Sequence, residues 1–495
     1  MSQGREGIGY VRGKGIGYKV CTKKIFKKLS DIEIPWYNCF MEIKILDPVY
    51  SLLTDKKYIP MISKLLSFQA EFWMKMSIKD KNGIPTGRFK RERKTYPKSM
   101  VLPSGMFFTG HVPKVVEYLT GKGLDPVVSL QNWPFLARSP QTLIPLRPDQ
   151  TKLVLNAVDK HRGIIKAPTG FGKTFLAGSI ISCVEGIRAV FLCHTKTLVH
   201  QTIKEFEKLG LDVGYITGTS KKLDGGVIVA TVQSFHKQPQ EFFNSFDMVI
   251  VDEAHHLAKI GGLYFRTLTK LIAPYRYGLT ATLPTGEETK LLAEGLLGGL
   301  IDEYSLKEGT DRGILAVPKI KLIKTPTLDL SHLRNYNDIY QAGIVENRSR
   351  NRLIIKEALN LSKQNKSVLI YITRIEHGEN LIKTANILNL PLFFVKGDVD
   401  GPTREEIRGK LNRKEILTIL ATTVFKEGVD IPELDCIIMA GGGKSEISVL
   451  QTVGRGLRRT KTKENVLIID FIDPNHYLAE HSVERMGVYI ENGWI

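Results

Sequence analysis

Short apolar runs recur through residues 141 to 495, among them Gly163-Ile164-Ile165, Ala189 to Leu192, Gly226 to Ala230 and Met248 to Val251. Unbroken apolar runs of this length fit strands buried on both faces of a parallel sheet, and the longer segments between them carry helical periodicity. That alternation predicts a parallel α/β domain over residues 141–312. A junction near Arg312-Gly313-Ile314-Leu315-Ala316-Val317-Pro318 leads to a second set of runs: Val368 to Ile372, Leu392 to Val395, Leu417 to Ala421, Ile437 to Ala440 and Val466 to Asp470. These predict a second α/β domain over residues 313–495. Residues 1–140 mix strand and helix patterns and predict a smaller α+β domain. Within it, Asn82-Gly83-Ile84-Pro85 is turn-prone and predicts a hairpin. The duplication Gly7-Ile8-Gly9-Tyr10 and Gly15-Ile16-Gly17-Tyr18 has no strand-loop-helix context. It reads as a glycine-rich hairpin or mobile arm and not as a dinucleotide site.

Two of the strands end in chemistry. Gly163-Ile164-Ile165 runs into Ala167-Pro168-Thr169-Gly170-Phe171-Gly172-Lys173-Thr174, which is followed by the helical Phe175-Leu176-Ala177. Glycines let backbone N–H groups close around phosphate oxygens, Lys173 reaches the β and γ phosphates, and the Thr174 hydroxyl suits Mg²⁺. Ala167 stands where the usual pattern has Gly. Met248-Val249-Ile250-Val251 ends in Asp252-Glu253-Ala254-His255. Carboxylates at the carboxyl end of a parallel strand face the ligand crevice. Asp252 is placed to hold Mg²⁺, and Glu253 to orient, or take a proton from, the water that attacks the γ-phosphate.

With these motifs the chain resembles the superfamily 2 helicases with a DEAH-type box, from Leu146 to the C-terminus, about 350 of 495 residues. The resemblance implies two tandem RecA-like motor domains, ATP as cofactor, and roles for further motifs in family order. Leu146-Arg147-Pro148-Asp149-Gln150 resembles the Q motif, in which Gln150 recognises adenine. Leu192 to Gln201 resembles motif Ia and Val229 to Ser234 motif Ib, which imply strand contacts by Thr195, Lys196, Thr231 and Gln233. Leu279-Thr280-Ala281-Thr282 resembles motif III, which couples the ATP site to the strand. Ala421 to Pro432 resembles motif V, implying Gly428 and Asp430 at the nucleotide and Thr422 on the strand, with Thr373 a further strand contact. Gln451 to Arg459 resembles motif VI. Phosphoryl transfer needs planar cations at the γ-phosphate, and Arg455 and Arg458, three apart, share one helix side. They read as arginine fingers, with Gln451 one turn earlier positioning the γ-phosphate or water; Arg459 and Lys461 suit a solvated face better.

Charge changes the picture at the front of the chain. The net charge is +19, and residues 1–140 hold 24 Lys and Arg against 11 Asp and Glu. Such a field favours nucleic acid over an acidic metabolite. The densest stretch, Lys79 to Lys98, interleaves Arg88, Lys90, Arg91, Arg93 and Lys94 with Phe89 and Tyr96, and reads as a basic hairpin touching a duplex backbone; a merely solvated hairpin is the competing reading. Five scattered cysteines without a C-x-x-C pair argue against disulfides or structural zinc. The His255-His256 pair lacks other ligands at metal spacing, and His255 is expected to bridge motif II to the second domain. The absence of a secretory h-region or a bilayer-length apolar run predicts a soluble, cytoplasmic protein, in the host cytoplasm if phage-encoded. A monomer is favoured.

Within the superfamily, the Leu-Arg-Pro-x-Gln opening, short motif spacing and basic N-terminal domain are most similar to branched-DNA helicases of the UvsW type, with the RecG and XPB translocases as broader relatives. The resemblance implies branched or double-stranded DNA as partner, and fork regression or branch migration in replication, recombination or repair. An RNA helicase, a duplex translocase without strand separation, and an ATP-clamped DNA-binding scaffold are the alternatives. Retention of Lys173, Asp252, Glu253, Arg455 and Arg458, each with its own task, argues against an inactive scaffold.

Overall fold

The computed structural model describes residues 41–79, 85–130, 144–168, 170–257, 259–284, 286–396, 401–422, 434–443, 453–454, 457 and 463–495. The Gly7 to Tyr18 duplication lies outside these. Two compact units are formed, one from residues 1–166 with 174–303, the other from 167–173 with 304–495.

In the first unit the main sheet has eight strands, in the order Lys221–Lys222, Val213–Ile216, Val227–Thr231, Ala189–Cys193, Met248–Asp252, Tyr275–Thr280, Arg162–Lys166 and Leu300–Glu303. All neighbours are parallel except the short Lys221–Lys222 edge. The central strands Ala189–Cys193, Val227–Thr231 and Met248–Asp252 are buried at every position, as their unbroken apolar runs require. Parallel pairing puts the carboxyl ends of the phosphate-loop strand, the DEAH strand and the motif Ia, Ib and III strands along one edge of the sheet.

The same unit contains a four-stranded sheet, ordered Met106–Phe108, Tyr50–Leu53, Glu42–Ile45 and Val127–Leu130. From it projects the two-stranded ribbon Ser67–Lys79 and Pro85–Ser99, paired antiparallel from Ser67↔Ser99 outward, with a register shift between Ser77 and Lys79. At the usual rise per residue its 13-residue strand reaches roughly 40 Å. Phe68 is buried at its base, whereas Phe72 and Tyr96, farther out, are exposed and meet edge to face with centroids 5.6 Å apart.

The second unit has a six-stranded, all-parallel sheet ordered Val317–Lys324, Asn465–Ile472, Cys436–Met439, Val368–Tyr371, Thr418–Ala421 and Phe393–Val395. Buried charge fixes its helices. Arg350, fully buried in helix Arg348–Lys363, donates from Nε to Asp473 Oδ1 at 2.9 Å and from Nη1 to the Ala440 carbonyl at 2.7 Å. On the C-terminal helix His476–Glu491, Arg485 Nε and the Tyr489 hydroxyl both reach Asp470 Oδ2 at 2.8 Å. Among the described residues, no helix is long and apolar enough to cross a membrane.

Two buried histidines set an acid limit on stability. Burial first, then Lys114 and Arg162, hold His111 down to about 3. Burial and Arg350 do the same to His377, whose Nε2 lies 2.9 Å from Asn351 Oδ1. Both rings fold neutral, so between the unfolded value near 6.5 and about 3 the unfolded chain binds more protons. Stability is then level above pH 6.5 and falls below it, by up to about 1.4 kcal/mol per pH unit for each ring. Urea midpoints measured from about pH 7.5 to about pH 5 check this; flat midpoints would mean that both rings protonate in the folded state.

Candidate functional site

The phosphate loop leaves strand Arg162–Lys166 and enters helix Lys173–Ser182. Gly170 and Gly172 have φ of 85° and 94°, the left-handed region that glycine adopts without steric cost, and between them the Phe171 N–H donates to the Pro168 carbonyl at 3.3 Å, closing the loop on itself. Ala167 and Pro168 are buried, Phe171 is fully buried with its ring 4.3 Å from that of Tyr304, and Lys173 Nζ lies 3.4 Å from the Ala167 carbonyl, folded back over the loop. Thr174 occupies the helix's first turn. Thr169 lies outside the described residues.

Asp252 ends its strand almost fully buried. It is near enough to Cys193 to help burial raise that thiol well above its usual range. Glu253 follows with φ 48°, ψ 57°, a left-handed conformation that costs a non-glycine residue roughly 1–2 kcal/mol. Strained backbone of this kind clusters at functional sites. The His255 ring makes its contacts beside the first sheet. Its Nδ1 lies 3.1 Å from Thr280 Oγ1 and 3.3 Å from Glu253 Oε2. The Thr280 hydroxyl donates to the Thr282 carbonyl at 2.7 Å, so the shared proton toward Thr280 sits on His255 Nδ1. The imidazole therefore ties the DEAH segment to motif III within the first sheet. His256 continues the contact, with ring centroids 4.4 Å from both His255 and His194.

The remaining sites are placed as follows. Gln150, buried in helix Pro148–Lys160, accepts the Arg147 N–H at 3.2 Å through Oε1, which orients its amide. Thr195 caps helix Lys196–Lys208, accepting from Leu198 N at 3.3 Å, and Lys196 beside it is exposed. Thr231 is buried, accepting from Ser234 N at 3.3 Å and donating to Ser234 Oγ at 2.8 Å. Its hydroxyl is committed internally, and the exposed Gln233 is the better placed for a strand. In the second unit Thr373 and the buried Thr422 follow adjacent strands that pair Tyr371↔Ala421. Gly428, Asp430, Gln451, Arg455 and Arg458 lie outside the described residues. On the ribbon Arg91, Arg93 and Lys94 are exposed, and Arg93 pairs with Glu71. Arg88 and Lys90 lie on the same strand; their side chains are outside the described ones.

One constellation had no sequence signal. Tyr340 hydrogen-bonds Thr373 Oγ1 at 2.6 Å and the Gly441 carbonyl, while the Arg374 guanidinium lies 4.4 Å from the Tyr340 ring centre. It orients Thr373 from 33 residues away.

For Mg²⁺, the donor set of a hydroxyl and a carboxylate is hard and sparse, as suits an ion that keeps several waters and phosphate oxygens. Among the described residues no group of three or more His, Cys, Asp or Glu could hold a metal by itself.

Known proteins agree with this geometry. The family described as type III restriction enzyme, res subunit, matches residues 143–285, and the helicase conserved C-terminal domain matches residues 350–460. The DNA 3'-5' translocase XPB2 of Sulfurisphaera tokodaii is 29% identical over 66% of this chain and 81% of its own. The ATP-dependent DNA helicase uvsW of Enterobacteria phage T4 is 24% identical over 69% of this chain and 74% of its own. In fold, the solved structure of S. cerevisiae Dbp5 bound to RNA and ADP BeF3 is similar with a TM-score of 0.52 at 14% identity, over 78% of this chain and 92% of that one. With one matched domain on each parallel sheet and the motifs in family order, the chain belongs to the superfamily 2 helicases, ATP-dependent motor enzymes built on two RecA-like domains.

Proposed function

We propose that the chain is an ATP-dependent DNA helicase or translocase that unwinds or branch-migrates forked and Holliday-type DNA, in replication, recombination or repair. The observation that carries this reading is the long basic ribbon standing in the same compact unit as the ATP-site sheet. Similarity to a DNA translocase and a DNA helicase supports DNA as the substrate. In this reading residues 1–140 are a DNA-binding domain appended to motor domains 141–312 and 313–495.

The chemistry assigns each residue one task. Gln150 reads adenine, the loop from Ala167 to Thr174 wraps the phosphates with backbone N–H groups, Pro168 having none to give, and Lys173 neutralises the β and γ oxygens. Thr174 and Asp252 would hold Mg²⁺, which when bound neutralises phosphate charge. Glu253 holds the attacking water and takes its proton, with His255 Nδ1 3.3 Å from its Oε2. Arg455 and Arg458 deliver charge to the γ-phosphate and Gln451 positions the γ-phosphate or water, with Gly428 and Asp430 assigned to the nucleotide. Thr195, Lys196, Gln233, Thr373 and Thr422 grip the strand backbone, with Thr231 supporting Gln233.

ATP hydrolysis measured with single-stranded DNA, duplex, fork, four-way junction and RNA tests the reading. Strongest stimulation by fork or junction is expected. RNA-only stimulation would replace it with an RNA helicase, and equal stimulation by plain duplex with a translocase that does not separate strands.

A further inference from the structure

The N-terminal sheet and the first motor sheet meet on helix Glu287–Leu297. In the chain this helix follows motif III and leads through Leu300–Glu303 back alongside the phosphate-loop strand, Leu300 pairing with Ile164. The approach is backbone to backbone. A Cβ at Gly110 would overlap the carbonyl oxygens of Glu294 and Gly295, and a Cβ at Gly295 would come within 2.9 Å of both His111 Nε2 and Phe108 Cβ. The base of ribbon strand Ser67–Lys79 packs on the same helix. Ile43, Phe68 and Val115 share one buried core with Leu292 and Leu296.

Arg162 closes the joint. Its Nε and Nη2 donate to the carbonyls of Leu297 at 3.4 Å and Leu296 at 3.2 Å, and its Nη1 donates to the Pro48 carbonyl at 3.0 Å. One planar cation thus holds a loop of the N-terminal sheet and the negative end of the helix dipole, from the first residue of the strand that feeds the phosphate loop. Arg276, its partner in the adjacent strand, donates to Leu296 O at 2.6 Å and to the Leu271 and Leu268 carbonyls. Like charges opposite one another in a sheet repel, and the carbonyl oxygens that accept from both guanidiniums offset that cost. At the rim, Lys114 Nζ meets Glu294 Oε2 at 3.2 Å.

We infer that Arg162 and the Lys114–Glu294 pair are positioning residues that lock the N-terminal sheet, whose core also holds Phe68 at the foot of the ribbon, to the helix between motif III and the phosphate-loop strand, so that duplex held on the ribbon raises ATP hydrolysis. This rests on the reading that the ribbon grips duplex DNA. A close-packed joint has discrete arrangements and transmits a small displacement without absorbing it.

A charge swap tests it. Lys114→Glu, Glu294→Lys and the double variant are compared with Arg162→Met and the unaltered protein for hydrolysis without DNA, with single-stranded DNA and with a fork. Each single swap and Arg162→Met should leave the first two rates within about twofold and cut fork stimulation by about fivefold or more, the range of ordinary site-to-site coupling. Fork affinity should hold, and the double swap should recover most of the stimulation. Undiminished fork stimulation in both single swaps, or a loss that the double swap does not restore, overturns the inference. If the unaltered protein binds a fork no better than single-stranded DNA, the reading of the ribbon fails first and the positioning role falls with it.

Discussion

Glu253→Gln should bind ATP and turn it over about 100- to 10,000-fold more slowly, whereas Lys173→Ala should lose productive nucleotide binding altogether. The two residues act on different partners. Lys173 lies folded over the phosphate loop, its Nζ 3.4 Å from the Ala167 carbonyl, where its charge serves the phosphates before any bond breaks. Glu253 serves only the attacking water, and its amide analogue keeps shape and polarity while losing the capacity to take a proton. Equilibrium binding of a labelled nucleotide together with single-turnover hydrolysis separates the two variants. Near-normal turnover by Glu253→Gln would remove Glu253 from the catalytic role. The backbone supplies a second check, because φ 48° at position 253 is a conformation that glycine adopts at little cost. Glu253→Gly should therefore keep or slightly raise the unfolding midpoint while losing turnover, the pattern expected where strain is stored for function.

The motor sheets were legible because parallel strands buried on both faces leave nothing polar to confuse the pattern. Val227–Thr231 and Met248–Asp252 are buried at every position, and each carries its motif on its carboxyl end and the residues that follow. The ribbon was legible from its turn and its charge. What escaped was anything set by contacts distant in sequence. Arg162 and Arg276 belong to no motif, yet they are side by side on neighbouring strands and spend their donors on carbonyls up to 135 residues away. The link from His255 to Thr280 joins residues 25 apart at the ends of adjacent strands, a contact that no local pattern announces. Thr231 was identified from its motif, but its hydroxyl is consumed by Ser234 three residues on, a local capping bond that competes with any ligand.

Neutralising Arg88, Lys90, Arg91, Arg93 and Lys94 together should weaken junction binding and flatten its salt dependence. Each phosphate contact contributes about 0.9 to the log-log slope on duplex DNA, so five contacts amount to about 4.5. Arg93 already pairs with Glu71 across the ribbon, so part of its charge is spent within the protein and the change should come nearer to four contacts' worth, about 3.6. Hydrolysis without DNA should be unchanged, since the ribbon projects from the N-terminal sheet and none of the phosphate-loop or DEAH residues belongs to it. Single-stranded DNA should lose less affinity than a fork, because the strand contacts at Lys196, Gln233, Thr373 and Thr422 are untouched. The exposed Phe72 and Tyr96 stay in place and keep the ribbon's aromatic contact, so the variant changes charge without removing the platform. Junction affinity titrated over a range of salt concentrations decides the matter: an unchanged affinity and slope would make the ribbon a solvated hairpin and move junction recognition to the motor domains.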